Sequence, residues 1–254
     1  TPKDAVRFRK PATVVRYMAL LSHAFNVAVK EWQWIEESPM LKVSKPKFNN
    51  ERLRYLSSDE LSRLLEATRV SANRYLQTIL IVALSTGMRY GEIMNLRWRD
   101  ILVDDDVGLL ILLETTKNGE RRGVPLVRDA CGAISEMRRE HAKHHQGKVK
   151  GDALLFPSEN NAEVPVEIRK SWETALKRAG IKNFHFHDLR HTAASYLAME
   201  GATAPEIAEI LGHKDLKMVM RYSHFNKAHI SKLLTRMSDS RFGSEVAGDI
   251  VDVT

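Results

Sequence analysis

The feature that most constrains this chain is a change of hydrophobic period near its middle. From residue 13 to residue 96, apolar residues recur mostly at helical spacing. Between residues 98 and 127 they come instead in three short β-like runs, "WRDILVDDD", "VGLLILLETT" and "RRGVPLV", and helical spacing returns afterwards. An acidic turn parts the first two runs. "KNGE" parts the second from the third, and its Asn-Gly step at 118–119 is a strong hairpin signal. Runs this short, enclosed by helices, make a small three-stranded antiparallel sheet. The expected class is therefore mainly α (α+β), a multi-helical domain carrying one small sheet.

The helical stretches have readable ends. Val14, Tyr17, Leu20, Leu21, Phe25 and Val29 mark a helix within 13–35, and the prolines and polar residues of 36–50 read as a linker. A domain boundary is expected near residue 50. Ser57 and Glu60 form a capping box for a helix over 57–70. "NRYLQTILIVALSTG" (73–87) is apolar nearly all round, which predicts a buried central helix stopped by Gly87. A short helix over 89–96 precedes the sheet. Further helices are expected at 128–146, 165–179, 187–200, 215–223 and 227–236. Thr203 caps another, with Pro205 and Glu206 in its first turn and Gly212 as its left-handed end. "DIVDV" near the C-terminus is compatible with a lone strand. No internal repeat stands out.

Charge narrows the partner. The net charge is +7 with a pI of about 9.5, which favours a polyanion. Residues 1–50 carry a net +5, residues 51–235 a net +4 and residues 236–254 a net −2. Cys131 is the one cysteine, so an intrachain disulfide framework and a multi-cysteine zinc site are excluded, and a reducing cytosol fits. No apolar run approaches about 18 residues, so no membrane span is expected, and no signal peptide is recognisable. The chain begins with Thr and is read as a fragment of a longer protein.

The chemistry gathers around "FHFHDLRHTAASYLA" (184–198). His187 and His191 are i, i+4, and "HDLRH" comes close to the H-E-x-x-H zinc pattern. However, Asp188 replaces the Glu base, Arg190 would repel a divalent cation, and no downstream third ligand follows. An anion site fits better. "STGMRYGEI" places Arg89 at a helix start after a glycine, "TTKNGERRGVPL" places Lys117 on the hairpin, and "LGHKDLKMVMRYSH" supplies His213 and Tyr222. Arginines bind phosphate oxygens as a fork and stay charged. A tyrosine is a poor nucleophile until a base and nearby cations help it ionise. A lysine can protonate a leaving alkoxide, and histidines can hold phosphate or move protons. No carboxylate cluster suited to Mg²⁺ stands beside these motifs, so arginine would supply the positive charge.

"TGMRYGE", "HDLRHT", "LGH" and "MRYSH", in this order and with a lysine hairpin between the first and second, resemble the tyrosine recombinase (phage integrase) family. The resemblance covers about residues 50–235. It implies a tyrosine recombinase catalytic domain over 51–236, the end of a helical core-binding domain and linker over 1–50, and a C-terminal tail over 237–254 that is a candidate for exchange between protomers. It further implies that Arg89 and Arg190 clamp the scissile phosphate and Lys117 protonates the leaving 5′-oxygen. His187 would assist proton transfer at the nucleophile, His213 would hydrogen-bond the phosphate, and Tyr222 would attack to give a 3′-phosphotyrosyl link. Glu92 would support the surroundings of Arg89. No metal, ATP or other cofactor is implied. The implied partners are double-stranded DNA at specific recombination sites, a homo-tetramer on that DNA and an accessory directionality factor, with no membrane. The implied location is the cytoplasm and nucleoid of a bacterial or phage-infected cell.

Other readings stay open at this stage. Tyr222 sits in an apolar run and suits a core position, and Tyr90 and Tyr196 are rival tyrosines. His185, His191, His224 and His229 match no required role; His191 reads as a structural hydrogen-bonder. Arg121 and Arg122 share the hairpin with Lys117 and are expected on the DNA backbone, as are Lys45 and Lys47. The functional alternatives are a DNA-binding fragment with this fold and little activity alone, or a type IB topoisomerase-like relaxing enzyme.

Overall fold

A computed structural model of the chain describes residues 9–47, 54–113, 121–144, 148–213, 215–222 and 227–242. The chain divides into two compact units, Thr1–Arg52 and Leu53–Thr254.

In the first unit, helix α1 (Pro11–Lys30) opens with Pro11 in its first turn, where the missing N–H costs nothing. It ends sooner than the predicted 35. Gln33 adopts a φ of 54°, a left-handed conformation that no α-helix continues. Trp32 and Trp34 then stack with ring centroids 4.4 Å apart, and Ser38 caps a 3₁₀ turn (Pro39–Lys42) inside the predicted linker. Among the described residues, α1 alone is long and apolar enough by length and composition to cross a membrane, with a hydropathy of 1.2. Length and composition alone do not make it a membrane span, and it is not the uninterrupted apolar run whose absence the sequence shows. Arg16 and His23 interrupt the apolar letters as a run, but the alanines, valines and leucines around them keep the average high.

The second unit is built on α3 (Leu76–Thr86). Its Leu76, Ile79, Leu80 and Val82 are fully buried, each contributing about 1.5–3 kcal/mol. The predicted all-round apolar helix is there, but it starts at residue 76. Ser71 and Asn73 side chains accept from the Asn73 and Tyr75 N–H groups and hold 71–75 in a turn. Before it, α2 (Ser58–Arg69) carries the predicted capping box: the Ser57 hydroxyl accepts from Glu60 N at 3.1 Å, and the Glu60 carboxylate accepts from Ser57 N at 3.0 Å.

After α3 come the short α4 (Tyr90–Met94) and the sheet β1 (Ile101–Asp104), β2 (Gly108–Leu113) and β3 (Arg122–Leu126), antiparallel in the order β1-β2-β3. Ile101 pairs with Ile111, and Ile111 with Val124, so the buried residues line one face at period two. The Asn-Gly step itself lies outside the described residues. Helices α5 (Arg128–His144) and α6 (Arg169–Arg178) follow. Then come α7 (Asp188–Met199), which packs on α3, α8 (Ala204–Leu211), α9 (Lys217–Met220) and α10 (Lys227–Phe242). The Thr203–Glu206 capping box and the left-handed Gly212 frame α8 as predicted. Helix α10 runs past the predicted residue 236, and "DIVDV" lies outside the described residues.

Candidate active site

Two glycine turns bring the site together. Gly87 ends α3 with a φ of 60°, and a Cβ there would stand 2.2 Å from a Leu211 methyl. The end of α8 therefore seats directly on the turn that leads to Arg89. Gly212, with a φ of 66°, ends α8 at that contact. The motifs "TGMR" and "LGH", far apart in sequence, meet because Gly87 has no side chain to strike Leu211, while Gly212 leaves room for the Arg122 guanidinium.

The last carbonyls of a helix have no partner within it and carry the negative end of its dipole. At the end of α8, three consecutive carbonyls each accept from a different arginine. Ile210 O accepts from Arg122 at 3.1 Å, Leu211 O from Arg190 at 2.6 Å, and Gly212 O from Arg89 at 3.5 Å. Arg190 also donates to Gly87 O at 2.7 Å. Glu92 stands among these cations: its carboxylate accepts from Arg89 N at 2.9 Å, from the Arg89 guanidinium at 2.8 Å and from Arg122 at 3.4 Å. Burial works against the charge of Glu92, but its bonds from Arg89 and the charge of Arg122 hold its carboxyl below the usual range. Burial and the neighbouring Arg89 and Arg122 push Arg190 down to about 10, so it stays protonated at neutral pH. Three guanidiniums against one carboxylate leave the pocket positive, and a phosphate would relieve that excess.

Tyr222 is 1% exposed, packed among Ala194, Ala198, Leu211 and Val219. Its hydroxyl is hydrogen-bonded to His191 Nδ1 at 2.5 Å, and the His191 ring meets His187 edge to face with centroids 5.3 Å apart. Burial raises the Tyr222 pKa, against the opposing pull of Arg221 and Arg190. Burial, then the charges around them, lowers both histidines, so each is a neutral imidazole at pH 7. A neutral His191 can accept the phenolic proton. His213 sits just past Gly212 with its backbone N–H on Ala208 O and a buried Nδ1 that has no hydrogen-bond partner. Burial and four arginines, Arg190 foremost, push its ring down to about 4. Among the described residues no three His, Cys, Asp or Glu side chains converge as metal ligands.

Of the residues singled out in the sequence, Arg89, Glu92, Arg190, His187, His213 and Tyr222 all lie in the second unit, on α4, α7 and the turns around α8 and α9. Lys117 lies outside the described residues. Arg121 is exposed at the head of β3. Arg122, expected beside it on the DNA backbone, turns inward, its side chain 11% exposed. Lys45 and Lys47 are exposed in the first unit. Two partnerships go beyond the sequence-based expectations. His191 rather than His187 bonds Tyr222, although the i, i+4 spacing of the two histidines was visible. Arg122 faces the same way as Val124 and Leu126, which strand alternation alone would have indicated.

The buried histidines carry a pH signature. A ring whose folded pKa lies below its ordinary 6.5 binds its proton more readily in the unfolded chain. Stability is therefore full above pH 6.5 and falls as pH drops toward 4. The His213 share is on the order of 1–2 kcal/mol, after allowing for solvent screening of a half-buried ring. Urea midpoints at pH 7.5 and pH 5 should separate in the natural chain, and His213→Gln should narrow the gap. An unchanged gap would show that His213 is not buried as described.

A helical unit with one small sheet, three arginines and a tyrosine around one helix end defines the class. The chain belongs to the phage integrase family, whose signature matches residues 54–229, and is thereby a tyrosine recombinase family member. It is 32% identical over 239 residues to the integrase of Salmonella phage P22, covering 92% of this chain and 59% of that protein. The catalytic domain of bacteriophage HP1 integrase superposes with a TM-score of 0.54 at 26% identity, over 75% of this chain and 98% of that one. A lambda integrase (75–356) dimer bound to a COC′ core site shares the fold, with a TM-score of 0.63 at 21% identity, over 86% of this chain and 75% of that one. The chain thus spans about three-fifths of the phage P22 relative's length.

Proposed function

We propose that this chain cuts and rejoins DNA at specific recombination sites of a prophage or mobile element. The observation that carries the reading is the α8 end, where Arg89 and Arg190 are held beside the Tyr222–His191 pair. Arg89 and Arg190 take the non-bridging oxygens of the scissile phosphate, and His213 adds a donor from its neutral ring. The Tyr222 oxygen attacks phosphorus and its proton passes to the imidazole pair of His191 and His187. The bond to the 5′-oxygen breaks, and that oxygen takes a proton from Lys117. The products are a 3′-phosphotyrosyl link and a free 5′-hydroxyl. Attack by another strand's 5′-hydroxyl reverses the steps, so the phosphodiester energy is kept and ATP is not needed. Duplex DNA is the partner, with Arg121, Lys45 and Lys47 on its backbone, and the place of action is the cytoplasm and nucleoid.

The same reading takes residues 1–50 as the end of a core-binding domain and 51–236 as the catalytic domain, with the protein tetrameric on two DNA sites and steered by a directionality factor. Helix α10 supports protomer exchange more directly than the tail beyond it. Ile230, Leu233, Leu234 and Met237 are all exposed and fall on one face.

A second reading, a DNA-binding chain with little activity alone, is favoured by one observation. At 1% exposure the Tyr222 hydroxyl cannot meet a phosphate until the segment around α9 shifts. The test is a pool of nicked duplexes, randomised around the nick, incubated with the chain in EDTA and run on SDS gels. An SDS-stable protein–DNA adduct is the expected result. DNA binding without an adduct would favour the second reading, and an adduct that needs added metal would overturn the first.

A further inference from the structure

We infer that Arg122 is a positioning residue for the phosphate clamp, tying β3 to the carboxylate of Glu92 and to the end of α8; this rests on the recombinase reading above. Three features separate it from an ordinary surface arginine. Its side chain is 11% exposed, too enclosed to lie along a DNA backbone. Its two terminal nitrogens reach different elements, Ile210 O on α8 at 3.1 Å and Glu92 on α4 at 3.4 Å. It also lies so close over Gly212 that a Cβ there would stand 2.4 Å from its Nη1.

The consequence follows from how the cations are shared. Arg89 and Arg190 repel each other, and a phosphate clamp needs both on the same side at once. Glu92 and the α8 carbonyls offset that repulsion. Arg89 takes one carboxylate oxygen with its guanidinium and the other with its backbone N–H. Arg122 reaches that second oxygen at 3.4 Å and so opposes rotation of the carboxylate away from Arg89. The neighbouring carbonyls of Ile210, Leu211 and Gly212 are held by three separate arginines, so losing one loosens the helix end that the other two still grip. Arg122 also opens the strand that follows Lys117, and it links the proton donor's hairpin to the clamp. It touches neither phosphate nor leaving group itself, and it acts through Glu92.

The test compares the natural chain with Arg122→Gln, Arg122→Lys, Glu92→Gln and the Arg122→Gln/Glu92→Gln double variant, using the nicked-duplex pool at saturating DNA. Arg122→Gln is expected to slow adduct formation by about 100-fold, as for loss of one preorganised donor. The DNA dissociation constant and its salt dependence should stay within about twofold, because no phosphate contact is lost. Arg122→Lys, which keeps the charge but reaches only one partner, should recover part of the rate and covers the case in which Gln fails to fold. The double variant should be no slower than the slower single one. A rate within twofold for Arg122→Gln, or a loss confined to affinity and its salt slope, would overturn the proposal. If the natural chain gives no adduct, the recombinase reading fails first, and the Glu92 carboxyl decides on Arg122 alone. Its ¹³C titration should move upward in Arg122→Gln, and an unmoved titration would count against the proposal.

Discussion

Tyr222→Phe is expected to give no SDS-stable adduct on any duplex that the natural chain captures. In the proposed reaction the phenolic oxygen forms the new bond to phosphorus, and among the described residues no other side chain in the pocket is placed to replace it. His187, His191 and His213 are neutral rings beside cations. The rival tyrosines are elsewhere engaged: Tyr196 donates to Leu56 O at 3.0 Å, and Tyr90 packs edge-on against Phe186. Tyr196→Phe and Tyr90→Phe should keep the adduct. Loss of activity in Tyr222→Phe cannot be laid to unfolding, because the ring keeps its packing against Ala194, Leu211 and Val219. Only the bond to His191 goes, worth about 1 kcal/mol, or a Tm shift of about 2–4 °C. Adduct yield and thermal unfolding measured on the same preparation check both halves. An adduct that survives in Tyr222→Phe would name a different nucleophile.

The helices, the sheet and the two glycine stops were legible in the sequence because each is a local matter of period, capping or φ. The meeting of Gly87 with Leu211 was not, since no local pattern says which turn seats on which helix end. The same limit explains the site. Arg89, Arg190 and Tyr222 could be read as types at characteristic separations, and the fold then supplied what separations cannot. Sequence alone does not show that three arginines converge on one helix terminus, or that the Tyr222 hydroxyl meets His191 Nδ1. Arg122 is the instructive case. Sharing a hairpin with Lys117 and Arg121 suggested the DNA backbone, while strand alternation pointed inward with Val124 and Leu126. The stronger constraint was the alternation, because a buried strand face must be filled. Its cost, a buried cation, is offset by Glu92 and Ile210 O.

Arg190 offers the second large effect, because it ties two elements of the fold together and, in the proposed reaction, also holds the phosphate. Its side chain is 4% exposed and donates to Gly87 O and Leu211 O, tying the α3–α4 turn to the end of α8. A guanidinium has five N–H donors, so three remain for a phosphate after those two bonds. Arg190→Ala leaves two buried carbonyls without partners, at about 1–3 kcal/mol each, and Tm should fall by roughly 10 °C. Arg190→Lys separates the two roles. An ammonium is a point charge that cannot bridge two carbonyls on different elements and still face a phosphate in a fork. It should therefore recover part of the stability while adduct formation stays about 100- to 1,000-fold below the natural rate. A lysine variant that cleaves at close to the natural rate would show that charge alone suffices here, and that the fork between Gly87 and Leu211 does not set the clamp.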